Sequence, residues 1–138
     1  MSSRLSPIMV LTMPTSLTAS ATTVDTFDFI EFALHPDRLP VGNPFAGFTL
    51  GATFSHTSAG AVTVSGFFDS ADGTVYRLRF MPEVAGTYAY TITFSLGASP
   101  EVFAETFSTA PSVREGVVRV DPDHPFHFKY SGSGEYCF

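Results

Sequence analysis

The stretch Thr74-Val75-Tyr76-Arg77-Leu78-Arg79-Phe80-Met81-Pro82-Glu83-Val84-Ala85-Gly86-Thr87-Tyr88-Ala89-Tyr90-Thr91-Ile92-Thr93-Phe94 decides the fold. Both of its halves alternate with a period of two. Tyr76, Leu78 and Phe80 fall on one face, Arg77 and Arg79 on the other. Tyr88, Tyr90, Ile92 and Phe94 alternate with Thr87, Ala89, Thr91 and Thr93. Successive side chains of a strand point to opposite sides, so each half reads as a strand with one buried face. Between them, Met81 to Gly86 carries a Pro and a Gly, the residues that break a strand and turn a corner.

The same pattern extends outward in both directions. Thr26 to Leu34 is a first run, with Ile30, Phe32 and Leu34 on one face and Asp28 near the end of that face. The X-Pro steps between His35 and Pro44 then force an extended or turned path. Phe48 to Ser55 places Phe48, Leu50, Ala52 and Phe54 on one side. Val62 to Phe68 follows, and the Asp72-Gly73 pair after it suits a hairpin. Beyond Phe94 come Val102 to Thr109, Val117 to Val120 and a short last run, Phe126 to Tyr130. No helical stripe of useful length interrupts them. About seven short strands at this spacing predict an all-β, antiparallel immunoglobulin-like β-sandwich. Tyr88, two residues after Gly86, is read as the tyrosine corner of such a sandwich, its hydroxyl bonded to backbone upstream, rather than as an ordinary core tyrosine.

Composition agrees. The chain has 138 residues, 44% hydrophobic and 14% charged, with 15 Phe, 5 Tyr and no Trp. That balance is opposite to a disordered segment and rich enough for one core without disulfides. The net charge is −6, with only 7 Lys and Arg. No cationic cluster is present to engage phosphates, so neither nucleic acid nor an anionic membrane is an expected partner. Cys137 is the one cysteine and is read as a buried thiol. Residues 1–23, rich in Ser, Thr, Ala and Pro, read as a flexible arm or as a secretory leader ending at Ala19-Ser20-Ala21. A secreted and a cytoplasmic location both stay open.

Catalytic chemistry has little to stand on. A glycosidase needs two convergent carboxylates, and the Asp and Glu residues here fall mostly in turns. Asp121-Pro122-Asp123-His124-Pro125-Phe126-His127 holds metal-ligand types, but its prolines are expected to keep the path extended and splay the side chains. No catalytic, metal or cofactor residue is therefore assigned. Arg77 and Arg79 read equally as cross-strand ion-pair partners and as anchors for a neighbouring domain.

Several segments carry a resemblance. They are Asn43-Pro44-Phe45, Phe54-Ser55-His56, Val64-Ser65-Gly66-Phe67-Phe68-Asp69, Tyr76 to Pro82, Gly86-Thr87-Tyr88, Gly116-Val117-Val118-Arg119-Val120 and His127-Phe128-Lys129-Tyr130. In this order they resemble the N-terminal immunoglobulin-like domain of unknown function, family number 5060, which precedes apiosidase-like glycoside hydrolase barrels. The resemblance covers residues 24–138 and is most specific from Gly66 to Tyr88. Where that family tends to carry Trp, this chain has Phe27 and Tyr88, which weighs against a Trp-dependent sugar platform. Ser131-Gly132-Ser133-Gly134-Glu135 stands in place of a tighter acidic-glycine turn.

The resemblance implies a non-catalytic accessory domain, with a sandwich over 24–120 and, over 121–138, a connector and the start of a barrel. Its implied partner is that barrel, and it implies no cofactor. Arg77, Arg79, Phe126, Phe128, Tyr130 and Tyr136 become the expected interdomain surface, with the tail loosely packed and both arginines lacking buried carboxylate partners within the chain. A stand-alone carbohydrate-binding module, using Phe67 or Tyr136, is the alternative.

Overall fold

The computed structural model describes residues 13–97 and 99–138. Among these there are twelve strands and no helix. In chain order they are β1 (Ser16–Ala19), β2 (Thr23–Asp25), β3 (Ile30–His35), β4 (Thr49–His56), β5 (Gly60–Ser65), β6 (Phe67–Phe68), β7 (Tyr76–Phe80), β8 (Gly86–Ser95), β9 (Glu101–Ala110), β10 (Val118–Val120), β11 (Phe128–Tyr130) and β12 (Tyr136–Cys137). One sheet has the order β1-β3-β7-β6 and the second β2-β9-β8-β4-β5. In immunoglobulin lettering these are A-B-E-D and A′-G-F-C-C′, so the chain is an immunoglobulin-like sandwich. Only β2 runs parallel to its neighbour, β9; the other pairings are antiparallel.

The alternation seen in the sequence becomes the core. Ile30, Phe32 and Leu34 of β3, Leu50, Ala52 and Phe54 of β4, Tyr76, Leu78 and Phe80 of β7, and Tyr88, Tyr90, Ile92 and Phe94 of β8 are all buried. They meet between the sheets largely as aromatic pairs. Phe54 stacks on Phe80 with ring centres 4.1 Å apart, and Phe32 meets Tyr90 at 4.7 Å. Antibody domains place a B–F disulfide and a strand C Trp at the middle of this fold, the second Cys two residues after the corner tyrosine. Here Tyr90 stands two residues after Tyr88, and with Phe32 and Phe54 it fills that place with rings.

The tyrosine corner is present. Tyr88 is buried, and its hydroxyl accepts a hydrogen bond from the Val84 amide at 3.3 Å. His56, at the end of β4, braces the same corner. Its Nε2–H donates to the Ala85 carbonyl at 3.1 Å, its Nδ1 accepts from the Ser58 and Ala59 amides, and its ring lies 4.8 Å from that of Tyr88.

The structure also departs from the sequence reading. From Ser16 onward, the expected arm is part of the sandwich. β1 pairs with β3 and β2 with β9, and Ala19, placed in a leader cleavage site, pairs with Phe32. The remainder of the leader reading, residues 1–12, lies outside the described residues. The first run starts later than expected, at Ile30, and Asp28 sits in the preceding turn rather than on a buried strand face. Val62 to Phe68 is two strands in two sheets, with Gly66 at the crossing. A Cβ on Gly66 would run into the Leu50 side chain and come within 2.9 Å of the Arg77 carbonyl, so only Gly fits there. The run at Val118–Val120 does not join the sandwich. It pairs with β11, which pairs in turn with β12, in a separate three-stranded sheet, order β10-β11-β12.

Candidate interdomain surface

Both arginines lie on one strand, β7. On the outer face of the first sheet, Glu31 of β3 lies opposite Arg79 of β7. The Glu31 carboxylate accepts from Arg77 Nη1 at 2.6 Å and from Arg79 Nε at 2.6 Å. Arg77 Nε also donates to Asp69. The hydrogen bond from Arg79, with the positive charge of Arg77 beside it, holds the Glu31 carboxyl below its ordinary range. Both arginines therefore have carboxylate partners in this chain, as cross-strand pairs of a sheet face, and neither partner is fully buried. Arg79 has a second set of contacts. Its guanidinium lies over the exposed rings of Phe29 at 5.6 Å and Phe67 at 5.4 Å, in cation–π geometry.

The C-terminal sheet is the second part. Its order comes from one buried carboxylate. Asp121 is 1% exposed. Its side chain accepts from Lys129 Nζ at 3.0 Å, the Asp123 amide at 3.1 Å, His124 Nδ1 at 3.1 Å and the Tyr136 hydroxyl at 3.2 Å. The Lys129 ammonium, followed by these other donors, holds the Asp121 carboxyl well below the usual carboxylate range. A buried charge with four donors is satisfied; without them it would be costly. The segment Asp121 to His127, expected to stay extended, instead curls back. The His124 amide donates to the Asp121 carbonyl at 3.2 Å, the His127 amide to the His124 carbonyl at 2.8 Å, and the Asp121 amide to the His127 carbonyl at 2.9 Å. The tail is thus a small ordered sheet and not a loose end. Among the described residues, no group of three His, Cys, Asp or Glu side chains is placed to hold a metal ion.

Order does not mean coverage. Phe126 is 95% exposed and Phe138 is fully exposed, with Phe128 and Tyr136 also on the surface. Tyr130 is half-buried, and its hydroxyl receives the Cys137 thiol at 3.5 Å. His124, His127, Tyr136 and Phe138 line an open cleft of about 210 Å³. Of the six residues expected to form an interface, Phe126, Phe128, Tyr130 and Tyr136 thus gather on the C-terminal sheet and its turns. Arg77 and Arg79 lie on the sandwich.

The rings considered as sugar platforms each carry a cation. Lys129 Nζ sits 4.7 Å from the Tyr136 ring centre, as Arg79 does over Phe67. The sequence reading missed Phe29, which it placed inside a strand, and the role of Asp121. The Asp-Pro-Asp-His spacing was a signal for that network, because Asp side chains readily bond to amides two residues on.

Comparison with known proteins gives three findings. A family model described as "Domain of unknown function (DUF5060)" matches residues 23–95, just over half of the chain. The crystal structure of a "putative glycoside hydrolase" from Bacteroides vulgatus ATCC 8482 is similar at 34% identity and a TM-score of 0.70, over 86% of this chain. This chain spans only 22% of that protein. The filamin domain of Lin-41 aligns at 16% identity and a TM-score of 0.45, over 70% of this chain and 91% of that domain. No protein of curated function matches.

Proposed function

This chain belongs to the DUF5060 family of domains, and from that premise we propose that it is a non-catalytic accessory domain of a glycoside hydrolase, packing on the catalytic barrel and supporting it. The observation that carries this reading is the similarity of 86% of this chain to 22% of a much longer protein described as a "putative glycoside hydrolase". The exposed aromatics of the C-terminal sheet are the surface we assign to the barrel. Phe126, Phe128, Tyr136 and Phe138, all exposed on this one small sheet and its turns, are the apolar side chains such an interaction would cover.

Three carboxyls are held in their charged form and are not poised as general acids. A glycosidase needs a general acid whose pKa is raised. Glu31, Asp72 and Asp121 are all shifted the other way, held by Arg79, by the Thr74 hydroxyl and by Lys129 respectively.

Three measurements test the reading. The chain by itself, assayed on a panel of aryl glycosides and plant polysaccharides, should show no turnover. Hydrolysis that disappears on mutating one of its carboxylates would overturn the non-catalytic role. In a glycoside hydrolase that carries this domain, removing it should lower the barrel's thermal midpoint and its kcat/KM. A barrel indifferent to the removal would overturn the supporting role. If the isolated chain instead retains soluble glycans on an affinity gel, the domain is a carbohydrate-binding module.

A further inference from the structure

We infer that Phe27 is a latch fixing the C-terminal sheet in one orientation against the sandwich. Phe27 lies in the turn between β2 and β3 with φ at +63°, the one non-glycine residue with positive φ among those described. L-residues other than Asn and Asp avoid that conformation. An outlier of this kind persists only where its surroundings hold it in place, and here they are visible.

The ring of Phe27 reaches out of the sandwich into the C-terminal sheet and lies against two glycines. A Cβ added to Gly116, ahead of β10, would come 2.9 Å from Phe27 Cε1. A Cβ added to Gly132, in the turn between β11 and β12, would come 2.7 Å from Cε2. Each is closer than real Cβ contacts come, so the ring occupies space that only glycine leaves free. The C-terminal sheet thus has a slot at its turn end, and the sandwich supplies the side chain that fills it.

The turn that presents the ring is tied to the sandwich on both sides. The Phe27 amide donates to the Pro82 carbonyl at 2.9 Å, in the corner after β7. The Thr26 amide donates to the Ala110 carbonyl at 2.8 Å, at the end of β9. Thr26 then pins the connector. Its hydroxyl accepts from the Ser112 amide at 3.0 Å, and its carbonyl accepts from the Ser112 hydroxyl at 2.7 Å. Two ion pairs flank the slot, Arg114 with Asp28 at 3.0 Å and Arg119 with Glu83. Exposed pairs of this kind add little stability, but they set register on either side of the ring. Resting on the accessory role proposed above, the latch means that the domain presents the barrel at a fixed angle and not on a flexible tether.

The latch itself can be tested on this chain. Phe27→Asn removes the ring but keeps a residue that tolerates the left-handed turn, while Phe27→Gly removes the ring with no backbone strain at positive φ. In the unmodified chain, residual dipolar couplings from β3, β4, β8, β10 and β11 should fit one alignment tensor. In both variants β10 and β11 should need a second tensor. Their amides should exchange at least about tenfold faster, while those of β4 and β8 stay unchanged. One shared tensor and unchanged exchange in Phe27→Asn would overturn the latch. So would equal loss of protection in β4 and β10, because the ring would then serve the sandwich core. A failed latch leaves the accessory role standing, and a barrel indifferent to the domain leaves the latch standing.

Discussion

Phe54 and Phe126 are the same side chain in opposite circumstances. Phe54 has no exposed surface and touches Phe80, Phe32, Tyr90 and Phe107. Phe126 is 95% exposed. The regions around them differ in the same way. The sandwich is held by rings between two sheets, and its buried polar groups are few: Thr26 and Thr109 are its buried polar residues among those described. The C-terminal sheet has three short strands and no second layer, so burial cannot hold it. It is organised around a charge, the Asp121 carboxylate, and anchored by one borrowed ring, Phe27. A region without its own apolar core can still be ordered, provided its polar groups are fully paired and a neighbour lends packing. The cost is an aromatic surface left facing solvent.

The contrast can be broken, and the sandwich should give the largest effect. Phe54→Ala should destabilise the chain by roughly 3–5 kcal/mol, as large-to-small core changes do. A loss under about 1 kcal/mol by denaturant titration would mean that the rings are not what holds the sheets together. The corner comes next. Tyr88→Phe removes only the bond from the Val84 amide and should cost about 0.5–1.5 kcal/mol, read in the same titration. Tyr76 sharpens that comparison with a smaller effect of opposite sign. Its hydroxyl is buried without a hydrogen-bond partner among the described residues. Tyr76→Phe should therefore stabilise by up to about 1 kcal/mol, and a loss equal to that of Tyr88→Phe would reveal a bridging water.

The smallest effect on the sandwich should come from Asp121→Asn. The midpoint of global unfolding should hardly move, while the amides of β10 and β11 lose protection. Equal loss of protection in β4 would show that the two regions are one cooperative unit. The pH dependence follows with a definite sign. The folded pKa of Asp121 is depressed, so its contribution is complete above the ordinary Asp value of about 3.9 and is lost as pH falls below it. Spectra of β10–β12 should be constant from pH 7 to about 4.5 and begin to change only at lower pH. Loss of the sheet already near pH 6 would show that the Asp121 carboxylate is not what holds it.

Strand existence was legible in this chain, but strand partners were not. Phe48 to Ser55 and Thr87 to Phe94 announce their buried faces because alternation is a local property of the backbone. Val62 to Phe68 shows the limit. Its residues are strand-forming throughout, and only the Leu50 side chain and the Arg77 carbonyl reveal that the chain must change sheets at Gly66. The arginines show the same limit. Alternation placed them together on an outer face, but Glu31, 46 and 48 residues earlier, was needed to decide what they do.

The sequence by itself determined an all-β sandwich with a tyrosine corner and a core of Phe and Tyr, since these follow from period, turn residues and composition. The tertiary structure alone decided that Val118 to Val120 leaves the sandwich, that Asp121 is buried and paired, and that the Phe27 ring lies against Gly116 and Gly132. Those facts depend on contacts between residues some 90 to 105 positions apart, or on the folding back of a proline-containing turn. Neither leaves a periodic trace in the chain, because they are set by which surfaces meet once the sheets have formed.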